Sequence, residues 1–265
     1  MSVNEEIREQ QKKLKDMTLK ARIAYFWEYY KIHTIIAVAA IIFIVTIVRD
    51  IANNKPYALY AMFINVEATD SQYALQDGFA EFAGIDTAGE AVLVDTNANF
   101  LSSTTDSSAV ATSEKAMAVI SAKTLDVMLA DENSFAHFAG QETFMPLTEY
   151  FSQDELKELS GRIFYMDQSL IDYLMSDQYT DYILTNKYDE SNKYAKLAAE
   201  YQETFVFPIM DYEDMENPVP VGIILENSAP LTDTGAYVTK TPIAGIVTNT
   251  QHKDNAKKFI QYLMQ

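Results

Sequence analysis

The sequence contains no cysteine among its 265 residues. This absence excludes disulfides, thiolate metal sites, redox dithiols and lipid attachment through an N-terminal cysteine. Only three histidines are present, His33, His137 and His252, and none has a partner at the HExxH or a related spacing. The chain also lacks a GxSxG elbow, a Walker loop and a GxGxxG fingerprint. We therefore expect neither an enzyme nor a resident cofactor or metal.

Positive charge and glycine are both scarce. The chain has 20 Lys and Arg against 38 Asp and Glu, a net charge of −18, which repels phosphate backbones and excludes nucleic acid as a partner. With 8 glycines and 48% hydrophobic residues, the chain has the composition of a folded protein with a core. The acidic residues 211–217 lack the glycine turn and the ligand spacing of a calcium loop, so we interpret them as a solvated loop.

One long hydrophobic run is present, residues 32–48 (IHTIIAVAAIIFIVTIV), and it contains no formal charge. A helix of this length extends about 25 Å, close to the roughly 30 Å of a hydrocarbon core. Aromatic and cationic side chains flank the run, as expected at the headgroup level, whereas a buried core helix is the alternative. We predict a transmembrane helix over residues 32–48 with the lipid bilayer as partner. The predicted interface residues are Trp27, Tyr29, Tyr30, Lys31 and Arg49.

Charge on the two sides of the run predicts its orientation. Residues 1–31 carry seven cations and five acids, whereas the chain after the run carries 13 cations and 33 acids, or about −20. The positive-inside rule then places the N-terminus in the cytoplasm and the large domain outside the plasma membrane. A cleaved signal peptide is the alternative, but 31 residues precede the run and VRDIANNKP offers no small-x-small cleavage site. We predict an uncleaved, single-pass signal anchor.

Four segments follow from this topology: a cytoplasmic basic helix over residues 1–31, the span over 32–48, a polar linker over 49–56 and an extracytoplasmic domain over 57–265. The basic helix either sets the topology or docks on lipid or a cytoplasmic partner. Its stretch YFWEYYKIH resembles the N-terminal anchor of uncharacterised membrane proteins of clostridia-like Gram-positive bacteria.

The residues after the linker predict alternating strands and helices. Residues 57–66 (YALYAMFINV) are apolar on both faces, as a central strand covered by helices on each side requires. A helix is predicted from Asp70 or Ser71 to Gly84, with Leu75, Phe79 and Phe82 at helical spacing. The following predicted elements are a strand over residues 91–94, a helix over 106–122 with Val110, Met117 and Ile120 on one side, and a strand over 125–129.

This alternation is typical of a right-handed parallel βαβαβ unit, so we predict an α/β domain of three layers. Ligands of such sheets bind outside the carboxyl ends of the strands. The polar residues at these ends are therefore candidate ligand-binding residues, although loop polarity and helix capping also explain each of them. These candidates are Asn65, Glu67, Thr96, Asn97, Asp131, Glu132, Asn133 and Ser134. The predicted core residues of the sheet are Phe63, Ile64, Val127, Leu129, Ile223 and Ile246.

Three segments carry a resemblance to a known family: LDVMLADENSFAHFAGQETFMPLTEYF (residues 125–151), GRIFYMD (161–167) and IAGIVTNTQHKDNAKKFIQYL (243–263). They resemble the extracellular solute-binding proteins of ABC importers, of the large sugar and oligopeptide type. In that family a whole second lobe separates a strand like PVPVGIIL (218–225) from the return strand, whereas only residues 226–241 intervene here. The resemblance implies the first lobe of a type II periplasmic binding protein, with a helical elaboration over residues 168–203.

Two functions remain open from the sequence. The lobe resemblance implies a binding or sensor module that presents a small solute to a membrane partner associated with an ABC transporter. The missing second lobe indicates instead a scaffold or assembly protein whose former ligand face binds another membrane or envelope protein. Without a second lobe, closure cannot bury most of a ligand's surface, so transport-grade affinity is not expected.

Overall fold

The computed structural model describes residues 18–53, 55–100 and 107–265. The chain divides into two compact units, Met1–Lys55 and Pro56–Gln265. The first 17 positions of the predicted cytoplasmic helix lie outside the described residues.

The first unit contains one helix, α1 (Leu19–Asn53), among its described residues. Its segment Tyr30–Arg49 is the one described helical stretch long and apolar enough to cross a membrane, and a signal sequence has the same properties. The helix extends beyond the predicted span at both ends, so residues 49–53 are helical where a polar linker was expected. Trp27, Tyr30, Lys31 and Arg49 are exposed on α1, and the side chain of Tyr29 lies outside the described part of the chain.

The second unit is an α/β fold built on a mixed six-stranded sheet with the order β2-β1-β3-β6-β5-β4. Its strands are β1 (Tyr57–Ile64), β2 (Ala91–Ala98), β3 (Val127–Ala130), β4 (Ile163–Asp167), β5 (Pro218–Ile224) and β6 (Ile243–Ile246). As predicted, β1 is parallel to both β2 and β3. The return strand β6 is antiparallel to β3 and to β5, and β4 is antiparallel to β5.

Nine helices of the described second unit cover this sheet. They are α2 (Gln72–Ala83), α3 (Ser107–Ser121), α4 (Glu132–Ala139), α5 (Gln153–Glu158), α6 (Gln168–Leu174), α7 (Asp177–Thr185), α8 (Lys193–Thr204), α9 (Ala229–Asp233) and α10 (Lys253–Leu263). Short 3₁₀ turns occur at Thr69–Ser71, Leu147–Glu149 and Tyr212–Asp214. The predicted end of α2 is confirmed, since Gly84 adopts the left-handed conformation that closes a helix.

The central strand β1 shows why the fold has three layers. Every residue of β1 after Tyr57 is buried, and successive side chains of a strand point to opposite faces. Leu59, Ala61 and Phe63 belong to one core, and Tyr60, Met62 and Ile64 belong to the other. Helices therefore have to cover both faces. The six predicted core residues, Phe63, Ile64, Val127, Leu129, Ile223 and Ile246, are all fully buried, which confirms the sheet core.

Helices α2 and α10 cover one face through aromatic contacts. The rings of Phe79 and Phe259 meet edge to face with centroids 4.9 Å apart, and Phe259 lies 6.1 Å from Phe63 of β1. Phe82 is 43% exposed but packs against Tyr262 at 5.6 Å. The C-terminal helix thus packs on the first strand of the domain, which closes the fold around β1.

Helix α3 does not bury the side that its sequence indicated. Val110 and Met117 are exposed, whereas Thr112 and Ala116 are buried and Ile120 packs against the core. The Thr112 hydroxyl donates to the carbonyl of Asn99 at 2.7 Å and accepts from the amide of Asn99 at 3.2 Å. This pair of hydrogen bonds fixes the rotation of α3 against the end of β2, a polar contact that apolar periodicity does not reveal.

Helices α6 to α8 form the predicted helical elaboration, and Asp167 anchors it. The buried Asp167 carboxylate accepts hydrogen bonds from the Tyr194 hydroxyl at 2.8 Å and from the amides of Ser169, Glu216 and Asn217 at 3.0 Å each. Tyr194 and Ala198 of α8 are buried, and Leu197 and Tyr201 pack against the same core. The tyrosine-containing side of α8 is therefore mainly a packing surface.

Replacing Asp167 with alanine is expected to lower the free energy of unfolding by about 2–3 kcal/mol, because it leaves buried donors of three segments without an acceptor. Burial raises the pKa of Asp167, but the hydrogen bonds from Tyr194 and the three amides outweigh it, so this pKa lies below its ordinary value. The stabilisation is therefore complete above the ordinary pKa and is lost as the pH falls through the folded pKa. Urea denaturation at several pH values measures both effects. An alanine variant with the same acid sensitivity as the parent would contradict this assignment.

Candidate functional site

Asn65 brings three of the predicted ligand-binding residues together at the carboxyl end of the sheet. It follows β1 with φ 60°, a left-handed conformation that asparagine tolerates. Its amide nitrogen lies 2.7 Å from Asp131 Oδ2, 3.1 Å from Ser134 Oγ and 2.6 Å from the carbonyl oxygen of Phe100. Its side-chain oxygen accepts from the amide of Phe100 at 2.8 Å. We call Asn65, Phe100, Asp131 and Ser134 the asparagine cluster.

The asparagine cluster has little hydrogen-bonding capacity left for a solute. Asp131 is the N-cap of α4, and its Oδ1 accepts from the amide of Ser134 at 3.1 Å. Beside it, the buried Tyr237 hydroxyl donates to the carbonyl of Ile64 at 2.5 Å. A solute at this end of the sheet would have to displace contacts that already join β1, β2 and α4. These residues hold the strand ends in register.

Glu67 lies apart from the cluster and binds a different loop. Its carboxylate accepts from the amides of Thr239 and Val238 at 2.8 and 3.2 Å and from the Thr239 hydroxyl at 3.0 Å. These hydrogen bonds, led by that of the Thr239 amide, lower the pKa of Glu67. Glu67 thus ties the end of β1 to the loop before β6 as an anion.

The other four candidates do not converge. Strand β2 continues to Ala98, so Thr96 lies inside the strand, 1% exposed, and its hydroxyl donates to the carbonyl of Thr69 at 2.5 Å. Asn97 is exposed on the same strand. Glu132 and Asn133 are exposed in the first turn of α4. The expectation that Thr96 and Asn97 follow the strand end is wrong, because the strand boundary predicted at residue 94 was too early.

Replacing Asn65 with alanine is expected to lower the free energy of unfolding by about 2 kcal/mol, since it removes hydrogen bonds to both polar groups of Phe100 and strains a left-handed residue. The matched variant Asn97→Ala removes an exposed amide of the same size and should change stability by less than about 0.5 kcal/mol. Urea denaturation of both variants measures the difference. Equal effects would show that the asparagine cluster is not a structural junction.

A second polar cluster lies at the opposite end of the sheet and was not among the predicted residues. Asp126 is fully buried, and its carboxylate accepts hydrogen bonds from the amide of Tyr60 at 2.8 Å and from the Thr250 hydroxyl. Both of its oxygens lie 3.1 Å from His252 Nδ1. We call Asp126, Thr250 and His252 the aspartate cluster. Its members are 124 and 126 residues apart in the chain, so no local motif announces them.

The aspartate cluster pairs a histidine nitrogen with a buried carboxylate, and its third member, the Thr250 hydroxyl, donates to the same carboxylate. In the described part of the chain, no group of three His, Cys, Asp or Glu side chains is arranged to hold a metal ion. His137 is half-buried and packs on Phe100 with ring centroids 4.7 Å apart, and its burial lowers its pKa. The aspartate cluster therefore serves as a buried junction between β1, β3 and the segment that enters α10.

The helical elaboration contains a cavity of about 350 Å³. Four tyrosine rings form an unbroken row beside it, with centroids 6.4, 6.1 and 5.5 Å apart from one ring to the next. We call this set the tyrosine row: Tyr173, Tyr179, Tyr182 and Tyr188. Its two end members line the cavity, together with Gln178, Asp181, Lys187, Asp189 and Asn192. A second cavity of about 410 Å³ lies between α5 and the β4 side of the sheet.

Exposed apolar side chains concentrate in the same region. Of the exposed large hydrophobic residues described in the second unit, more than half fall within residues 175–212. These are Met175, Ile183, Leu184, Tyr188, Phe205, Ile209 and Tyr212, of which Leu184 is 78% exposed. These side chains share one segment of the chain, and exposed apolar side chains that form a contiguous patch indicate an interaction site.

No protein-family model matches the chain, and no curated protein matches it.

Proposed function

We propose that this chain is a membrane-anchored, extracytoplasmic binding or sensor module whose α/β domain resembles one lobe of a type II solute-binding protein. The observation that carries the proposal is the combination of one apolar helix, α1, with a separate α/β unit that has an open cavity. The three parallel strands β1, β2 and β3, with helices on both faces, support the lobe resemblance. The asparagine cluster, however, makes the strand ends a poor place for a solute.

A scaffold or assembly function is the second candidate, and two observations favour it. The polar residues Asn65, Asp131 and Ser134 at the strand ends are hydrogen-bonded to one another. Seven large apolar side chains within residues 175–212 are exposed to solvent. In this function the module binds another membrane or envelope protein, and the cavity is incidental.

The predicted topology is tested by cysteine labelling, which the absence of natural cysteine makes clean. A membrane-impermeant maleimide added to intact cells is expected to label the Ser160→Cys variant, whose residue is exposed on the second unit. The Ser2→Cys variant should react only after the membrane is permeabilised. The opposite pattern would reverse the orientation, and labelling of neither variant in membranes would contradict an extracytoplasmic domain.

Copurification distinguishes the two functions. The full chain, tagged at its N-terminus and extracted from native membranes in mild detergent, is analysed by mass spectrometry for small molecules and proteins. A copurifying solute or transporter subunit supports the binding or sensor function. A copurifying envelope protein without a solute supports the scaffold function. If crosslinked membranes yield neither a solute nor a protein partner, the result contradicts both functions.

A further inference from the structure

The cavity beside the tyrosine row has a lining that selects its ligand. The rings of Tyr173 and Tyr188 both line it, and they are connected through Tyr179 and Tyr182. Tyr182 is 5% exposed and meets Tyr188 edge to face at 88°. The remaining lining is polar, with Asp181 and Asp189 supplying the carboxylates. Its volume of about 350 Å³ lies in the range of small-molecule sites.

The two carboxylates lack a cationic partner. Neither Asp181 nor Asp189 forms an ion pair with another described residue, and the Lys187 ammonium on the cavity lining is more than 4 Å from both. One oxygen of Asp189 accepts from the amide and hydroxyl of Ser191 at 2.9 and 2.6 Å, which fixes its orientation. Burial, and the Asp189 charge, raise the pKa of Tyr173, so its phenol stays neutral.

Rings and carboxylates together favour an organic cation. A cation gains from the electron-rich faces of tyrosine rings, and it gains most when its own shell is apolar, as in a quaternary ammonium. The chain after the apolar run carries about −20, which draws cations and repels anions. Asn192 on the lining already uses its side-chain oxygen to accept from the amides of Tyr194 and Ala195.

We propose that this cavity binds an organic ammonium cation between Tyr173 and Tyr188, with Asp181 and Asp189 as its counter-charges. The inference rests on the proposed binding function and names its ligand class and its site. The site lies on the helical elaboration, and the asparagine cluster takes no part in it. Lys187 also lies on the lining and is exposed.

Calorimetry of the full chain in nanodiscs of a choline-free lipid tests the proposal. The probes are choline and its neutral isostere 3,3-dimethylbutan-1-ol, and choline is expected to bind at least about tenfold tighter. A second arm offers phosphatidylcholine vesicles, which distinguishes a lipid headgroup from a free ammonium. Binding of choline alone identifies a soluble ligand, and binding of the vesicles as well identifies a headgroup.

Two matched double variants distinguish binding in the cavity from attraction of cations by the negative charge of the whole domain. The variant Asp181→Asn/Asp189→Asn should weaken choline binding about tenfold or more. The variant Asp177→Asn/Glu190→Gln removes the same number of exposed charges nearby and should leave binding unchanged. Tyr188→Leu removes one ring of the lining and should weaken binding, with circular dichroism confirming the fold of each variant.

Equal affinity for choline and its isostere would overturn the proposal, and so would equal losses in the two double variants. Binding of glucose in place of choline would assign the cavity to neutral sugars instead. A solute that copurifies from native membranes while choline fails to bind overturns this inference and leaves the proposed function standing. Failure of the cysteine-labelling pattern removes the extracytoplasmic function without affecting choline binding.

Discussion

Replacing Asp126 with alanine is expected to lower the free energy of unfolding by about 3–5 kcal/mol, because several groups lose their hydrogen-bond acceptor at once. Asp126 is fully buried, and three groups depend on it: the amide of Tyr60, the hydroxyl of Thr250 and the ring of His252. Alanine cannot accept from any of them. Buried donors without an acceptor are costly because water no longer solvates them.

Two variants separate the parts of the aspartate cluster. Thr250→Val keeps the shape of the side chain and removes one donor to Asp126, so it should cost about 1–2 kcal/mol. Asp126→Asn keeps one acceptor and should fall between Thr250→Val and Asp126→Ala. Urea denaturation in detergent, followed by near-ultraviolet circular dichroism, measures all three. The single tryptophan lies on α1, so the tyrosines report on the domain. A change below 1 kcal/mol for Asp126→Ala would refute the junction.

The sheet could be predicted from sequence because its signals are local. Residues 57–66 are apolar on both faces, and the structure buries both faces of β1 accordingly. Strands β4 and β6 lie within segments that carry the family resemblance, β5 matches the strand expected over residues 218–225, and Gly84 ends α2 where the sequence placed the end. Periodicity and turn chemistry act over a few residues, so a single sequence contains them.

The candidate site could not be predicted to the same extent, because its contacts join residues far apart in the chain. Asn65 and Asp131 are 66 residues apart, and only the sheet order places β1 beside β3. The sequence indicated that both residues lie at strand ends, but it did not show that each satisfies the other. The prediction of which side α3 buries was wrong for a related reason, since the hydrogen bonds between Thr112 and Asn99 orient the helix.

Helix α4 packs into the core beside the asparagine cluster, and Phe135 is a ring that it buries against the sheet strands β4, β5 and β6. The neighbouring Ser134 belongs to that cluster, whereas the Phe135 ring is fully buried. The ring stacks on Phe144 with centroids 4.2 Å apart and planes 2° apart, and it meets Phe164 edge to face at 5.3 Å. The position of α4, and with it the strand-end junction, therefore depends on how this ring packs.

Glycines in β5 and β6 make room for the Phe135 ring. A Cβ atom at Gly222 would lie 2.6 Å from Phe135 Cζ, and one at Gly245 would lie 2.9 Å from the same atom. Carbon atoms of separate side chains do not approach so closely, so glycine is required where a ring lies against the strand backbone. Gly222 and Gly245 do not have a positive φ. Glycine is therefore required at these positions by the lack of space for a side chain and not by the backbone conformation.

Replacing Phe135 with alanine is accordingly expected to lower the free energy of unfolding by about 3–5 kcal/mol, from lost transfer energy and the cavity left behind. Gly222→Ala should cost about 1–3 kcal/mol in the parent, through clashes with the ring and with Ile243 Cγ2, each 2.6 Å from the new methyl carbon. The same glycine substitution should cost measurably less in a Phe135→Leu background, because the smaller side chain leaves space for the new methyl group.

This double-mutant cycle, read by urea denaturation, gives a coupling energy above about 0.5 kcal/mol if ring and glycine are in direct contact. Phe82→Ala, at a partly exposed phenylalanine of α2, serves as the matched control with a smaller loss. Strict additivity of Gly222→Ala and Phe135→Leu would mean that the ring does not pack on this strand.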